Sequence, residues 1–187
     1  QKKSSLINPS LPNLKRLIKG FEDIIKIITI APELPGALKV IEKCVTMGIK
    51  LNMGHSDATF KQAVNGKKAG ATGVTHIFNA MRPFHHREPG LSVLGLLDSE
   101  LYIEVIADGV HLHTETLKLI FKLKPHDKII LVSDSVKGPM YKGGVLQGGK
   151  KTLTGCVEFL AGIGIPKNKI IKAATENPKR YLNPQMK

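Results

Sequence analysis

Between Gly54 and Gly90 the chain gathers residue types that carry acid–base, metal and anion chemistry. Gly54-His55-Ser56-Asp57 is followed by Thr75-His76-Ile77-Phe78-Asn79-Ala80-Met81 and then by His85-His86-Arg87-Glu88-Pro89-Gly90. Ala31-Pro32-Glu33 closes an apolar run upstream; Asp108-Gly109-Val110-His111 and Ser133-Asp134-Ser135 close two more downstream. Glu33, His55 and His76 are one carboxylate and two imidazoles spaced by roughly twenty residues, a donor set for zinc or iron that leaves positions open for water and substrate. An ion so held lowers the pKa of its water and polarises a carbonyl. A lone strand-end histidine is more often a satisfied structural group, but three ligand types on successive tips reverse that balance. Asp134 is the natural general base, with a turn or capping aspartate as the bland alternative. His111 suits substrate contact or a backbone-satisfied turn. Arg87 is either a surface ion-pair residue or an anion clamp, its forked guanidinium being suited to phosphate. His85, His113 and His126 read as surface residues.

The elements that must position these residues alternate in type. Lys26–Ile30, Ile49–Met53, a segment ending at Val74-Thr75-His76, Leu101–Ala107 and Lys128–Ser133 read as short buried strands. Helical patterns separate them: Asn13 to Lys19, residues 36–47 with Gly48 as a C-cap, a helix to about Ala69 capped by Ser56 or Asp57, a patch near Ser92–Leu97, and a helix from Thr114 to Lys122. Such a succession without hairpin signals predicts parallel strands with helical crossovers. Every strand tip then carries a polar residue, Glu33, His55, His76, His111 or Asp134. Five contributing tips in a row suit a (β/α)8 barrel better than an open doubly wound sheet. Beyond Asp134 come a glycine-rich stretch (Gly138, Gly143, Gly144, Gly148, Gly149), the apolar run Val157–Ile163, a helix from Gly164-Ile165-Pro166 through Ala174, and a short one from Pro178.

Length and charge narrow the possibilities. One core is the default for 187 residues, of which 42% are hydrophobic and 23% charged. No apolar run reaches the roughly 20 residues of a membrane span, and no leader pattern opens the chain. Cys44 and Cys156 sit in no metal or redox spacing, so two free thiols in a reducing, cytoplasmic setting are expected. The net charge of +13 admits a nucleic-acid footprint. Yet the lysines are scattered and only 5% of residues are aromatic, so solvated helix faces and attraction of an anionic small molecule are the better reading.

Taken together, the motifs from Ala31-Pro32-Glu33 to Val132-Ser133-Asp134-Ser135 resemble the series found in N-acetylglucosamine-6-phosphate deacetylases of the amidohydrolase superfamily. The tail Ala173-Ala174-Thr175-Glu176-Asn177-Pro178 is similar to that family's late helix. The resemblance implies a TIM-like (β/α)8 metal-dependent hydrolase barrel, present over residues 1–187 as a partial chain of about five strand–helix units plus C-terminal helices. The family's small β domain is expected to be absent, with segments missing before residue 1, near residues 155–156 and after residue 187. It further implies that Glu33, His55 and His76 hold one or two divalent ions, zinc or iron, and that Asp134 is the catalytic base and acid. Asn79 and Ala80, with Arg87, would contact the sugar phosphate, His111 the ring, and Leu153 to Gly155 the pocket wall. The implied reaction is deacetylation of N-acetylglucosamine 6-phosphate to glucosamine 6-phosphate and acetate, water activated at the metal attacking the acetamide carbonyl. A cytoplasmic homodimer is implied, with no nucleic-acid or membrane partner.

Three departures stand out. Ile7 occupies the place before Asn8-Pro9 where the family has a histidine or glutamine near the acetamide. The superfamily's first-strand His-x-His motif is absent. Gly155 is followed by Cys156-Val157-Glu158 rather than a serine and a longer helix. The alternatives are an amidohydrolase for another N-acetylated sugar phosphate, such as N-acetylgalactosamine 6-phosphate, a basic non-catalytic nucleic-acid module, or an inert fragment whose barrel cannot close.

Overall fold

From the first strand to the fifth, short apolar strands alternate with helices, and every pairing described among them is parallel. The computed structural model describes residues 6–136, 141–142, 145–146, 148–183 and 185. Two units make up the chain, divided between Gly95 and Leu96.

In the first unit Ser10 opens α1 (Leu11–Ile18), its hydroxyl accepting from the Asn13 amide at 3.2 Å. Then follow β1 (Ile27–Ile30), α2 (Ala37–Thr46), β2 (Lys50–Met53), α3 (Phe60–Lys68), β3 (Gly73–Val74) and α4 (Gly90–Leu97), the last running across the division. β1 pairs with β2 from Ile27–Lys50 to Ile30–Met53, and β2 pairs with β3 through Asn52–Gly73 and Met53–Val74. A parallel register brings the C-terminal tips of the three strands to one edge. Val40, Ile41 and Cys44 form the buried stripe of α2, joined in the core by Leu51 and Met53 of β2 and Ala63 of α3. α3 lies close because Gly66 has no side chain: a Cβ there would stand 2.6 Å from Met53 Sδ and 2.8 Å from Pro32 Cβ.

The second unit holds β4 (Tyr102–Ile106), α5 (Thr114–Leu123) and β5 (Ile129–Val132), with β4 and β5 parallel from Ile103–Ile129 to Ile106–Val132. After them come β6 (Tyr141–Lys142) and β7 (Val145–Leu146), an antiparallel pair, and then α6 (Leu153–Gly162), α7 (Lys167–Ile171), one π-helical stretch (Lys172–Glu176) and α8 (Asn177–Leu182). Buried Asn177 ties α8 to the foot of β5, its Nδ2 donating to the carbonyls of His126 and Ile129 at 2.7 Å each. Two backbone acceptors for one buried amide nitrogen make a strong local constraint, while Oδ1 is buried with no partner among the described residues.

Several boundaries differ from the sequence-based expectation. Thr59, not Ser56 or Asp57, caps α3 through a reciprocal pair with Gln62; the Ser56 hydroxyl donates to Glu33 and the Asp57 carboxylate accepts from Arg82. His113, not Thr114, caps α5: its ring accepts from the Glu115 amide at 3.2 Å. The hairpin of β6 and β7 carries no turn signal that was read as one; Gly138, Gly143 and Gly144 lie outside the described residues. The expected discontinuity near residues 155–156 falls inside α6. Thr152 caps that helix, whose buried residues Cys156 and Leu160 lie one turn apart.

Candidate functional site

At the tips of the first unit's strands, Gly54 lets two neighbours close over it. Thr29 and Thr75 share a 2.8 Å hydroxyl hydrogen bond, and a Cβ on Gly54 would lie 2.9 Å from Thr75 Cβ and 3.0 Å from Thr29 Cγ2. The residues that follow these tips are His55 and His76. Their Nε2 atoms face each other at 2.9 Å, with ring centroids 4.6 Å apart and planes at 78°. His76 is buried, and its Nδ1 finds no hydrogen-bond partner among the described residues. Glu33 is oriented by the residues after His55: Oε2 accepts from Ser56 Oγ and Oε1 from the Asp57 amide, each at 2.7 Å.

The loop after β3 is sewn to the loop after β2. Ser56 N donates to the Ala80 carbonyl and Arg82 N to the Ser56 carbonyl, both at 3.0 Å. The Arg82 guanidinium adds bonds to the Asp57 carbonyl at 2.8 Å and to Asp57 Oδ2 at 2.9 Å. Asn79 turns its amide back onto the His76 and Ile77 carbonyls. Glu88 accepts from the amides of Phe60 and Gly90 at the starts of α3 and α4. Arg87 is exposed and donates to His86 Nε2 at 2.9 Å.

In the second unit Asp108 is buried at the tip of β4. Oδ1 accepts from the amides of Val110 and His111, and Oδ2 accepts from His111 Nδ1 and the Lys150 amide, all at 2.8–2.9 Å. Burial alone would raise its pKa, but the bonds from Lys150, His111 and Val110 outweigh that and hold it down to about 2. Asp134 stands exposed beyond β5 with its carbonyl accepting from Gly149 N at 2.9 Å. Leu153 and Gly155 lie in the first turn of α6.

Backbone strain picks out these positions independently. Among the described residues five non-glycines have positive φ: His55 (47°), His76 (30°), Phe78 (72°), Ala80 (48°) and Asp134 (47°). Three of the five, His55, His76 and Asp134, are residues singled out by their chemistry, and Ala80 is one that the resemblance implies. Left-handed backbone at a side-chain-bearing residue costs roughly 1–3 kcal/mol and persists where surrounding structure imposes it, commonly at active sites.

The donors suit a metal ion in chemistry. Two imidazole nitrogens on one tetrahedral ion at about 2.0–2.1 Å each stand about 3.3 Å apart, and the His55–His76 separation of 2.9 Å is within about half an ångström of that. The Glu33 carboxylate has about four acceptor positions and uses two. Among the described residues, however, no three His, Cys, Asp or Glu side chains gather closely enough to hold one ion. Cysteine chemistry is disfavoured, since burial pushes the thiol pKa of both Cys44 and Cys156 up. Ser56, Asp57, Arg82 and Asp108 were not read as site residues from the sequence. Ser56, Asp57 and Asp108 stand within the motifs and Arg82 just after one, but the partners that define their roles lie as far as 42 residues away.

Parallel strands with helical crossovers, bearing histidine, glutamate and aspartate at their C-terminal tips, define a partial (β/α) barrel. Its relatives are specific. The chain is 40% identical over 131 residues to N-acetylglucosamine-6-phosphate deacetylase of Bacillus subtilis, covering 70% of this chain and 33% of that protein. It is 34% identical over 127 residues to N-acetylgalactosamine-6-phosphate deacetylase of Escherichia coli O157:H7, covering 68% of this chain and 33% of that one. The crystal structure of N-acetyl-D-glucosamine-6-phosphate deacetylase from Mycobacterium smegmatis superposes with a TM-score of 0.85 at 30% identity, over 94% of this chain and 54% of that one. A mutant of the same enzyme in complex with N-acetyl-D-glucosamine-6-phosphate gives the same score at 28% identity, over 94% of this chain and 53% of that one. No family model matches. The resemblance carried by the motifs is therefore real: this chain is a relative of the N-acetylglucosamine-6-phosphate deacetylases. It spans 33% of the Bacillus subtilis protein and about half of the solved structures.

Proposed function

We propose that this chain is the catalytic part of a metal-dependent amide hydrolase that converts N-acetylglucosamine 6-phosphate to glucosamine 6-phosphate and acetate. The observation that carries the reading is the pair of strand-tip imidazoles, His55 and His76, with Nε2 atoms 2.9 Å apart on strained backbone. With Glu33 they would hold a divalent cation, zinc or iron. Such an ion, when bound, supplies a Lewis acid for the acetamide carbonyl and a more acidic water. Ser56 and the Asp57 amide aim the Glu33 carboxylate and fill two of its acceptor positions. Asp134 takes the proton from the attacking water and returns it to the departing amine nitrogen. Asn79 and the Ala80 backbone, with Arg87, receive the phosphate, and His111 meets the sugar. Leu153 and Gly155 lie along the pocket, and residues 1–187 form a partial barrel. The enzyme works as a cytoplasmic homodimer, a setting that two buried free thiols suit.

The galactosamine epimer is the second reading, favoured by the 34% identity to the Escherichia coli enzyme. Metal analysis of the purified protein, paired with acetate release from each 6-phosphate epimer, tests both. Turnover of the glucosamine epimer with a bound divalent ion supports the first reading. Preference for the other epimer moves the assignment, and absence of turnover with full metal loading overturns it for this chain.

A further inference from the structure

We infer that Asp108 is a positioning residue that acts through His111, its carboxylate keeping the imidazole proton on Nδ1 so that Nε2 is the nitrogen presented to the sugar. The inference rests on the proposed role of His111 and assigns what orients it. An ionised carboxylate only accepts hydrogen bonds, so the 2.9 Å contact between Asp108 Oδ2 and His111 Nδ1 requires the proton on Nδ1. The state of Nε2 follows from that bond.

The carboxylate has little freedom to do otherwise. Its side chain is fully buried and that of His111 is 6% exposed. The amides of Val110 and His111 occupy Oδ1, and the Lys150 amide shares Oδ2 with the ring. All four acceptor positions are thus used, and one group ties the His111 ring to the segment that leads into α6. The turn is clamped from α6 as well. Gly109 has φ +77°, and a Cβ there would stand 2.6 Å from the Phe159 ring. Among the described residues, Lys150, Lys151 and Cys156 are titratable residues of the segment that meets this turn, the Cys156 thiol sensing the charges of both Asp108 and Lys151.

The test is NMR of the full chain labelled with 15N-histidine, with His111→Gln identifying the His111 signals, alongside steady-state kinetics. The expected spectrum has Nδ1 protonated through neutral pH. In Asp108→Asn the carboxylate that accepts from Nδ1 is gone, so the proton redistributes between the two ring nitrogens. Each single variant is expected to lower kcat/KM on the order of 10- to 100-fold, the range for residues that orient functional groups. The double variant should fall no further than His111→Gln alone. A wild-type ring protonated on Nε2, His111 signals unchanged in Asp108→Asn, or losses that multiply in the double variant would each overturn the inference. The wild-type tautomer is readable even if Asp108→Asn fails to fold. Should the chain show no deacetylation, the proposed function fails while the spectra still decide whether Asp108 governs His111.

Discussion

Each histidine of the facing pair has one nitrogen whose surroundings say something about its use. His55 and His76 bring Nε2 to Nε2, and His76 keeps a buried Nδ1 with no partner among the described residues. A buried polar atom without a partner costs about 1–3 kcal/mol, a cost that native proteins accept mainly at functional positions. Replacing His76 with Ala is therefore expected to abolish stoichiometric metal binding, read by elemental analysis of the dialysed protein, with little loss of thermal stability. Ser56→Ala removes the hydroxyl that aims Glu33. Metal affinity should fall on the order of 10- to 100-fold in a competitive chelator titration. Asp134→Asn keeps the shape of the side chain and loses the base, so kcat should drop on the order of 10²- to 10⁴-fold with metal content unchanged.

Among the elements, the segment around Gly148-Gly149 does for Asp134 what the threonine bridge does for His55. Gly149 donates its amide to the Asp134 carbonyl, and a Cβ on it would fall 1.7 Å from the Ser133 carbonyl oxygen; one on Gly148 would fall 2.6 Å from the Asp134 carbonyl oxygen. Only glycines let the backbone come this near the strained residue. Gly149→Ala should cost about 1–3 kcal/mol by overpacking, measured by denaturant unfolding. Because the displaced group is the Ser133 carbonyl, in the peptide that leads into Asp134, kcat should fall below what the stability loss explains. These glycines were legible as a loop but not as a support, since the distances that define the role link residues 133–134 to 148–149. The strands were legible because β-branched runs ending at turn residues have few other uses. β3 came out shorter than the motif implied, as the chain turns at Thr75 to place His76.

For the molecule as a whole, pH and charge are the accessible levers. Asp108 is held down to about 2 in the folded chain, against an ordinary value near 3.9 when unfolded. A depressed carboxylate pKa gives stability that is present above about pH 4 and lost as pH falls toward about 2. Acid unfolding should therefore steepen in that window for wild type, and Asp108→Asn should flatten it, as followed by circular dichroism. With 28 Lys and Arg against 15 Asp and Glu, the surface favours anions. If the substrate is a sugar phosphate, KM should rise several-fold as salt increases well above physiological ionic strength while kcat holds. No helix among the described residues is long and apolar enough to cross a membrane.

The order of residue types along the chain determined the parallel strand–helix alternation, the likeness to the deacetylases and the identity of the strand-tip side chains. Hydrophobic period and turn residues act over a few positions, and a motif series survives wherever its fold does. Contacts over longer separations belong to the tertiary structure. They turned the Ser56 hydroxyl and the Asp57 amide onto Glu33, set His55 against His76, and bound the Asp108 carboxylate to the Lys150 amide. Which atom meets which across 20 or more residues depends on register and packing, and no local pattern encodes those distances.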